Sequence, residues 1–323
     1  MQQSAMSIYR LEDYQPTPYA IPKTQLHFCL KPTKTLVTAI LLIEARQNTK
    51  ERTPLVLSGD DLTLISVAIN GEALSANAYK STPSRLEITT PPATPFTLQL
   101  VTELNPESNR QLMGLYLSNG VYCTQCEAEG FRRITYFYDR PDILSTYTVK
   151  IEADSQTIPI LLSNGNLVET GTLENNRHFA LWEDPYPKPS YLFALVGGDL
   201  DKLEDHFTTV SGRRIKLGIY VEKGKPNVQP MQWMPSNAPC VGMSNALDAN
   251  MTLMFSILLL FRTLTWVQWK IKGLTSLMIN MFLQILKQQP IMIIEMSNVS
   301  LLMNISIIGP VIVLLAVIGF NFV

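Results

Sequence analysis

The chain has 323 residues, with 26 Lys and Arg against 27 Asp and Glu, for a net charge of −1. That balance excludes a strongly basic nucleic-acid binder and an acidic tail protein, and a 46% hydrophobic content excludes a disordered chain. The average hides a break after Gly224: residues 1–224 carry 46 charges and a net of −4, whereas residues 225–323 carry seven and a net of +3.

Before the break the pattern is that of β-sheet. Residues 25–30 alternate, Thr35–Ala45 is an apolar, β-branched run, and residues 62–69 alternate with period two up to Asn70-Gly71. Asn-Gly favours a two-residue type I′ hairpin turn, because both residues accept a positive φ, and it recurs at 119–120 and 164–165. Further strands are predicted at 96–101, 133–138, 147–153, 158–162, 178–182 and 191–196. Prolines cluster in predicted connections at 90–95 and 185–189. Many short strands so punctuated predict a mainly β chain, an antiparallel saddle-shaped sheet or sandwich over residues 1–224.

Candidates for chemistry are few. Cys123-Thr124-Gln125-Cys126 has the spacing of a metal or redox pair, but the chain has no second pair and no thioredoxin-like context, so two packed thiols are expected. Cys29 and Cys240 bring the total to four, too few for a disulfide scaffold. The N-terminus lacks the apolar region of a signal peptide, which makes a reducing cytoplasm the expected compartment. His27, His178 and His206 are scattered through the β region, and no metal site is expected of them. The acidic stretch Glu127-Ala128-Glu129 directly precedes an aromatic run. Composition alone makes it an exposed loop; a functional loop would aim a carboxylate at a cationic group such as a free α-amine.

Residues 123–132, Cys-Thr-Gln-Cys-Glu-Ala-Glu-Gly-Phe-Arg, with Ile-Thr-Tyr-Phe-Tyr-Asp-Arg-Pro-Asp at 134–142, resemble the N-terminal domain of the bacterial aminopeptidase N family. Residues 161–166 and 184–196 carry the same resemblance, which runs from about Tyr9 to Gly224. It implies a β-saddle domain beside a gluzincin catalytic domain that uses zinc to release N-terminal residues from peptides. It also implies that Gln125 and Glu127 hold the free amino group of the substrate, so that the bound partner is a peptide N-terminus. The Asp139-Arg140-Pro141-Asp142 match is expected to be structural, with internal ion pairing.

The zinc machinery of such a family is missing. It needs H-E-x-x-H, with two His on zinc and the Glu as general base, and a G-A-M-E-N substrate strand. Neither occurs here, and no histidine follows His206, so this chain is expected to bind no catalytic zinc and to be inactive. Residues 225–323 instead hold apolar runs, the last of them 296–323 without a charge. That run exceeds the roughly 20 apolar residues that span a bilayer, so a membrane-anchored peptide-binding module is one reading. A fused hydrophobic core is a second, but the runs show no clear amphipathic period.

A third reading is a shifted frame. Back-translation of residues 265–273, taking the third base of each codon with the first two of the next, permits M-G-A-M-E-N-K-G. The same shift of residues 300–309 permits I-A-H-E-Y-F-H-N-W, and 250–255 permits Y-D-L-D-V. Both family motifs thus return in family order from one shift, placing a slip near codons 225–229. The codons for a third zinc ligand, a Glu, would lie past Val323. On this reading residues 225–323 form an aberrant tail, helical if it has any regular structure.

Overall fold

In the computed structural model, the structure describes residues 12, 14–46, 53–208 and 214–223, together with three short strands of the tail. The strands in chain order are β1 (Tyr19–Cys29), β2 (Thr35–Ala45), β3 (Leu55–Ser58), β4 (Thr63–Ile69), β5 (Glu72–Ala73), β6 (Tyr79–Thr82), β7 (Arg85–Ile88) and β8 (Phe96–Leu104). They continue as β9 (Gly114–Ser118), β10 (Val121–Gln125), β11 (Leu144–Asp154), β12 (Ile160–Ser163), β13 (Asn166–Thr172), β14 (Arg177–Pro189) and β15 (Leu195–Gly198). Last come β16 (Leu200–Thr208), β17 (Arg214–Glu222), β18 (Phe255–Leu260), β19 (Ile305–Ile308) and β20 (Val311–Leu314).

The scaffold is an eight-stranded sheet in the order β13-β14-β11-β1-β2-β8-β4-β5. Its sequence alternation translates into sidedness: β1 and β2 bury every second residue, among them Leu26, Phe28, Val37, Ala39 and Leu41. One continuous core joins this inner face to the sheets β12-β15-β10-β9 and β3-β7-β6, giving a sandwich. At its centre the Phe131 ring meets Phe137 edge-on at 4.9 Å and Phe193 at 5.4 Å. The sheet is mainly antiparallel as expected, but β1 and β11 pair in parallel, a long-range feature invisible to local alternation.

Three local expectations change. Residues 134–138 form no ladder. They thread between sheets, and each backbone or side-chain bond goes elsewhere: Thr102 Oγ1 to the Ile134 carbonyl (2.8 Å), Tyr136 Oη to the Thr82 carbonyl (2.6 Å), and a lone bridge between Ser58 and Phe137. The prolines at 185–189 lie inside β14 rather than in a connection. They are tolerated because β13 pairs only up to Glu183, and because the pairing with β11 slips between Ser145 and Tyr147. The turns at 70–71 and 119–120 have positive φ at both residues, as hairpin turns require, but at 164–165 only Gly165 does. There Asn164 instead spans a change of sheet, its side chain accepting from the Ala194 N–H (2.6 Å) and donating to the Leu192 carbonyl (3.2 Å).

β16 and β17 form an antiparallel pair extended in parallel by β18 and β20, with β19 antiparallel to β20. The described pieces of the tail are therefore extended strands, where the sequence suggested helix if anything. The junction at Gly224, Cys240 and most of the back-translated windows lie outside the described residues. No helix among the described residues is long and apolar enough to cross a membrane; the 296–323 run lies outside them apart from β19 and β20.

Candidate functional site

The loop that follows β10 is built by close approach. β9 and β10 form the hairpin over Asn119-Gly120, and β10 lies between β9 and β15. Thr124 locks this pair: its hydroxyl accepts from the Leu195 N–H at 2.7 Å and reaches the Leu195 carbonyl at 3.3 Å. The strand ends at Gln125, and the chain turns back so that the Gly130 N–H donates to the Cys126 carbonyl (2.8 Å). A Cβ on Gly130 would sit 2.4 Å from the Gln125 carbonyl oxygen, so the turn closes this tightly only with glycine. A 3-10 turn at Phe131–Arg133 follows and plants Phe131 in the core.

Behind the loop every charge has a partner. Arg132 donates from its backbone N–H and Nε to Asp139 Oδ2 (3.1 and 3.2 Å), and Ser190 donates to Asp139 Oδ1 (2.5 Å). Burial pushes the Asp139 carboxyl up, and the Ser190 and Arg132 contacts oppose that shift. Arg133 binds Asp60 (2.6 Å), Asp61 (3.2 Å) and Gln111 (2.9 Å). Arg132 also meets Glu129 at 3.1 Å. Arg140 clasps Asp142 through two hydrogen bonds (2.9 and 3.1 Å), which is the internal ion pairing expected of that motif.

In front of the loop the picture reverses. Gln125 and Glu127 are both half-buried, and among the described residues neither side chain has a hydrogen-bond or ion-pair partner. Desolvation pushes the Glu127 carboxyl above the usual carboxylate range, with no cation present to bring it down. Gln125 and Glu127 thus offer an amide oxygen and a carboxylate as open acceptors on a turn whose arginines are already committed. Such a pair suits an ammonium donor.

Cys123 and Cys126 are buried free thiols whose pKa values burial pushes up, so they match the packed pair expected. The histidines lie apart in the described structure. The His178 ring bonds the Ile158 carbonyl at 2.7 Å, the His206 side chain lies outside the described residues, and His27 stands beside Cys29 and Glu152. No two-histidine, one-carboxylate group occurs among the described residues. Among the described residues the donors therefore do not make the two-histidine, one-carboxylate set that catalytic zinc of this kind uses. The cluster of His27, Cys29 and Glu152 was not found from sequence, because Glu152 is 123 positions from Cys29 and only the β1–β11 pairing unites them.

Residues 15–192 match the family model described as "Peptidase M1 N-terminal domain". The class is thus the N-terminal β domain of a peptidase, and the chain belongs to the M1 peptidase family. Aminopeptidase N of Caulobacter vibrioides is 54% identical over 215 residues, covering 67% of this chain and 24% of that protein. Aminopeptidase N of Escherichia coli is 48% identical over 230 residues, covering 71% and 26%. Among solved structures, Legionella pneumophila aminopeptidase A in complex with aspartic acid superposes with a TM-score of 0.66 at 32% identity, covering 78% of this chain and 30% of that one. A Deinococcus radiodurans M1 zinc metallopeptidase mutant bound to a Tyr-Ser-Ala substrate gives 0.60 at 17% identity, a likeness of fold, covering 76% and 57%. The chain spans about a quarter of the length of the curated relatives it matches.

Proposed function

We propose that residues 1–224 are the substrate-facing domain of a zinc aminopeptidase, with Gln125 and Glu127 receiving the free amino group of a peptide. The observation that carries this is the unpartnered, desolvated Glu127 carboxylate on a loop whose other charges are all neutralised. A carboxylate at that point favours a charged N-terminus and rejects an interior peptide bond, which has no ammonium to offer. The amide oxygen of Gln125 supplies a second acceptor.

We further propose that residues 225–323 are the start of the catalytic domain translated out of frame, and that the chain as written is an inactive, shortened form. Three observations support this. The seven charges of the tail contrast with 46 before it. One common shift of the back-translated codons permits both the substrate strand and the zinc motif. The matches to the two relatives cover 67% and 71% of this chain, so about a third is left unmatched, close to the share that the tail makes up.

The decisive measurement is the nucleotide sequence at codons 225–229. A one-base difference from relatives is expected there; an uninterrupted frame overturns the proposal. At the protein level, the purified chain with zinc and an aminoacyl chromogenic substrate is expected to show no turnover. Turnover that a chelator abolishes overturns inactivity. Carbonate extraction separates the remaining reading: intact chain held in the membrane pellet supports an anchor over a shifted frame, and soluble or degraded chain supports the shift.

A further inference from the structure

β1 and β11 run side by side in the middle of the eight-stranded sheet, with Cys29 opposite Glu152 and His27 opposite Lys150. The alternate residues Leu26, Phe28, Val149 and Ile151 are buried, so these four side chains share the outer face. There an imidazole, a thiol and a carboxylate converge. His27 Nε2 lies 3.6 Å from Cys29 Sγ, Sγ lies 3.7 Å from Glu152 Oε2, and Nε2 lies 2.8 Å from Glu152 Oε1. Among the described residues this is the one group of three or more His, Cys, Asp or Glu donors close enough to share an ion.

A tetrahedral zinc ion, with Zn–S of about 2.3 Å and Zn–N or Zn–O of about 2.0–2.1 Å, holds its sulfur about 3.5 Å from each nitrogen or oxygen ligand. The two sulfur distances match that spacing. The shorter imidazole–carboxylate contact is a hydrogen bond that an ion would replace. We propose that His27, Cys29 and Glu152 form a binding site for one zinc-class divalent cation on the outer face of the sheet, built on a different sheet from Gln125 and Glu127.

The donor set selects the metal. Thiolate and imidazole favour zinc or cobalt over magnesium or calcium, and three protein ligands leave a fourth position for water. Lys150 Nζ is 2.8 Å from Glu152 Oε1 and sits 4.8 Å from the centroid of the Phe179 ring. It occupies the carboxylate oxygen away from the thiol and turns Oε2 toward Cys29, the kind of outer contact that orients a metal ligand. Its charge, with that of Arg177 nearby on β14, also sets a ceiling on affinity. Burial and Glu152 push the Cys29 thiol up, so binding displaces its proton: one S–H bond breaks, one S–Zn bond forms, and one proton passes to the buffer. The proposed site departs from the sequence expectation that the chain holds no metal. The site stands whether or not the amine-binding reading does.

The test uses the full chain, reduced and stripped with a chelator, and titrated with cobalt(II) and then zinc. One equivalent of cobalt is expected to produce thiolate-to-metal charge-transfer absorption, which zinc abolishes. Cys29→Ser is expected to remove that absorption, and His27→Gln to weaken binding by at least about tenfold, with circular dichroism unchanged in both. Absence of the band in the wild type overturns the site. So does a band that survives Cys29→Ser, which would assign the thiolate to another cysteine. A readout without any variant follows alkylation of Cys29 by mass spectrometry: zinc is expected to slow it at least about tenfold, and an unchanged rate overturns the proposal.

Discussion

Two carboxylates twelve residues apart show how the β10 loop divides its labour. Asp139 is fully buried and its carboxylate accepts from three donors, two of Arg132 and one of Ser190. Glu127 is half-buried and has none among the described residues. Burial raises both pKa values, but only at Asp139 do neighbours oppose the shift. The saturated side of the loop is architecture; the unsaturated side is an invitation to a ligand. Substituting residues on each side should therefore produce effects of different kinds.

The largest effect is expected at another saturated pair on the buried side. Lys188, 3% exposed, is ion-paired with the fully buried Asp184, and its ammonium lies 4.3 Å from the centroid of the Tyr147 ring. Desolvation lowers its pKa to about 8 despite the attraction of Asp184. Lys188→Met leaves Asp184 charged and unpaired in the core and should cost about 3–5 kcal/mol in urea denaturation. Adding Asp184→Leu should recover most of that loss. If the single variant is as stable as the wild type, the buried side is not saturated in the sense argued.

Glu127→Gln tests the opposite side. It removes charge while keeping shape, so stability should move by no more than about 0.5 kcal/mol. In an enzyme produced from the corrected frame, carried through its downstream codons, the same change should weaken use of free-amine peptides by about 1.5–3 kcal/mol, roughly 10- to 150-fold in kcat/KM. N-acetylated peptides should be insensitive to it. Equal losses on both substrate types would remove Glu127 from amine recognition.

The buried thiols give a smaller, pH-dependent effect. Cys123 and Cys126 have folded pKa values well above their unfolded ones. Unfolded thiols ionise near pH 8.5–9 while folded ones stay protonated, so the unfolded state binds fewer protons and stability falls as pH rises past that point. Lys188 works the other way: its folded pKa is lowered, so the unfolded state keeps more protons above about pH 8 and stability rises with pH on its account. The readout is therefore a difference. Between pH 7.5 and 9.5 the wild type should lose about 1–2 kcal/mol more than a Cys123→Ala, Cys126→Ala variant. Equal slopes would mean the thiols are not held protonated.

Legibility in the sequence followed the range of the interactions. Alternation in Thr35–Ala45 and the turns at Asn70-Gly71 and Asn119-Gly120 are local, and the structure reproduces them. The bulge and free edge that admit Pro185, Pro187 and Pro189 into β14 depend on which strands lie beside it, and no window of sequence carries that. The same holds for residues 134–138, where β propensity was overridden by contacts to three different elements. At the candidate site, Gln125 and Glu127 were visible through resemblance to a family. That Arg132 and Arg133 are both committed elsewhere, leaving Glu127 unpaired, emerged only from the fold. Glu152 joined His27 and Cys29 by strand pairing alone.

The smallest expected effect bounds the comparison from the solvent side. Arg133 is 8% exposed, yet one of its carboxylate partners, Asp61, is 80% exposed and 3.2 Å away. Solvent screens such a pair, and Asp60 at 2.6 Å together with Gln111 at 2.9 Å still holds Nη1 of Arg133 when Asp61 is neutralised. Asp61 also sits at a φ of +55°, which asparagine adopts as readily as aspartate. Asp61→Asn thus changes charge without straining the backbone, and its cost should stay below about 1 kcal/mol. A loss near that of Lys188→Met would mean that the saturated region extends to the surface, so that saturation rather than burial determines the stability of the loop.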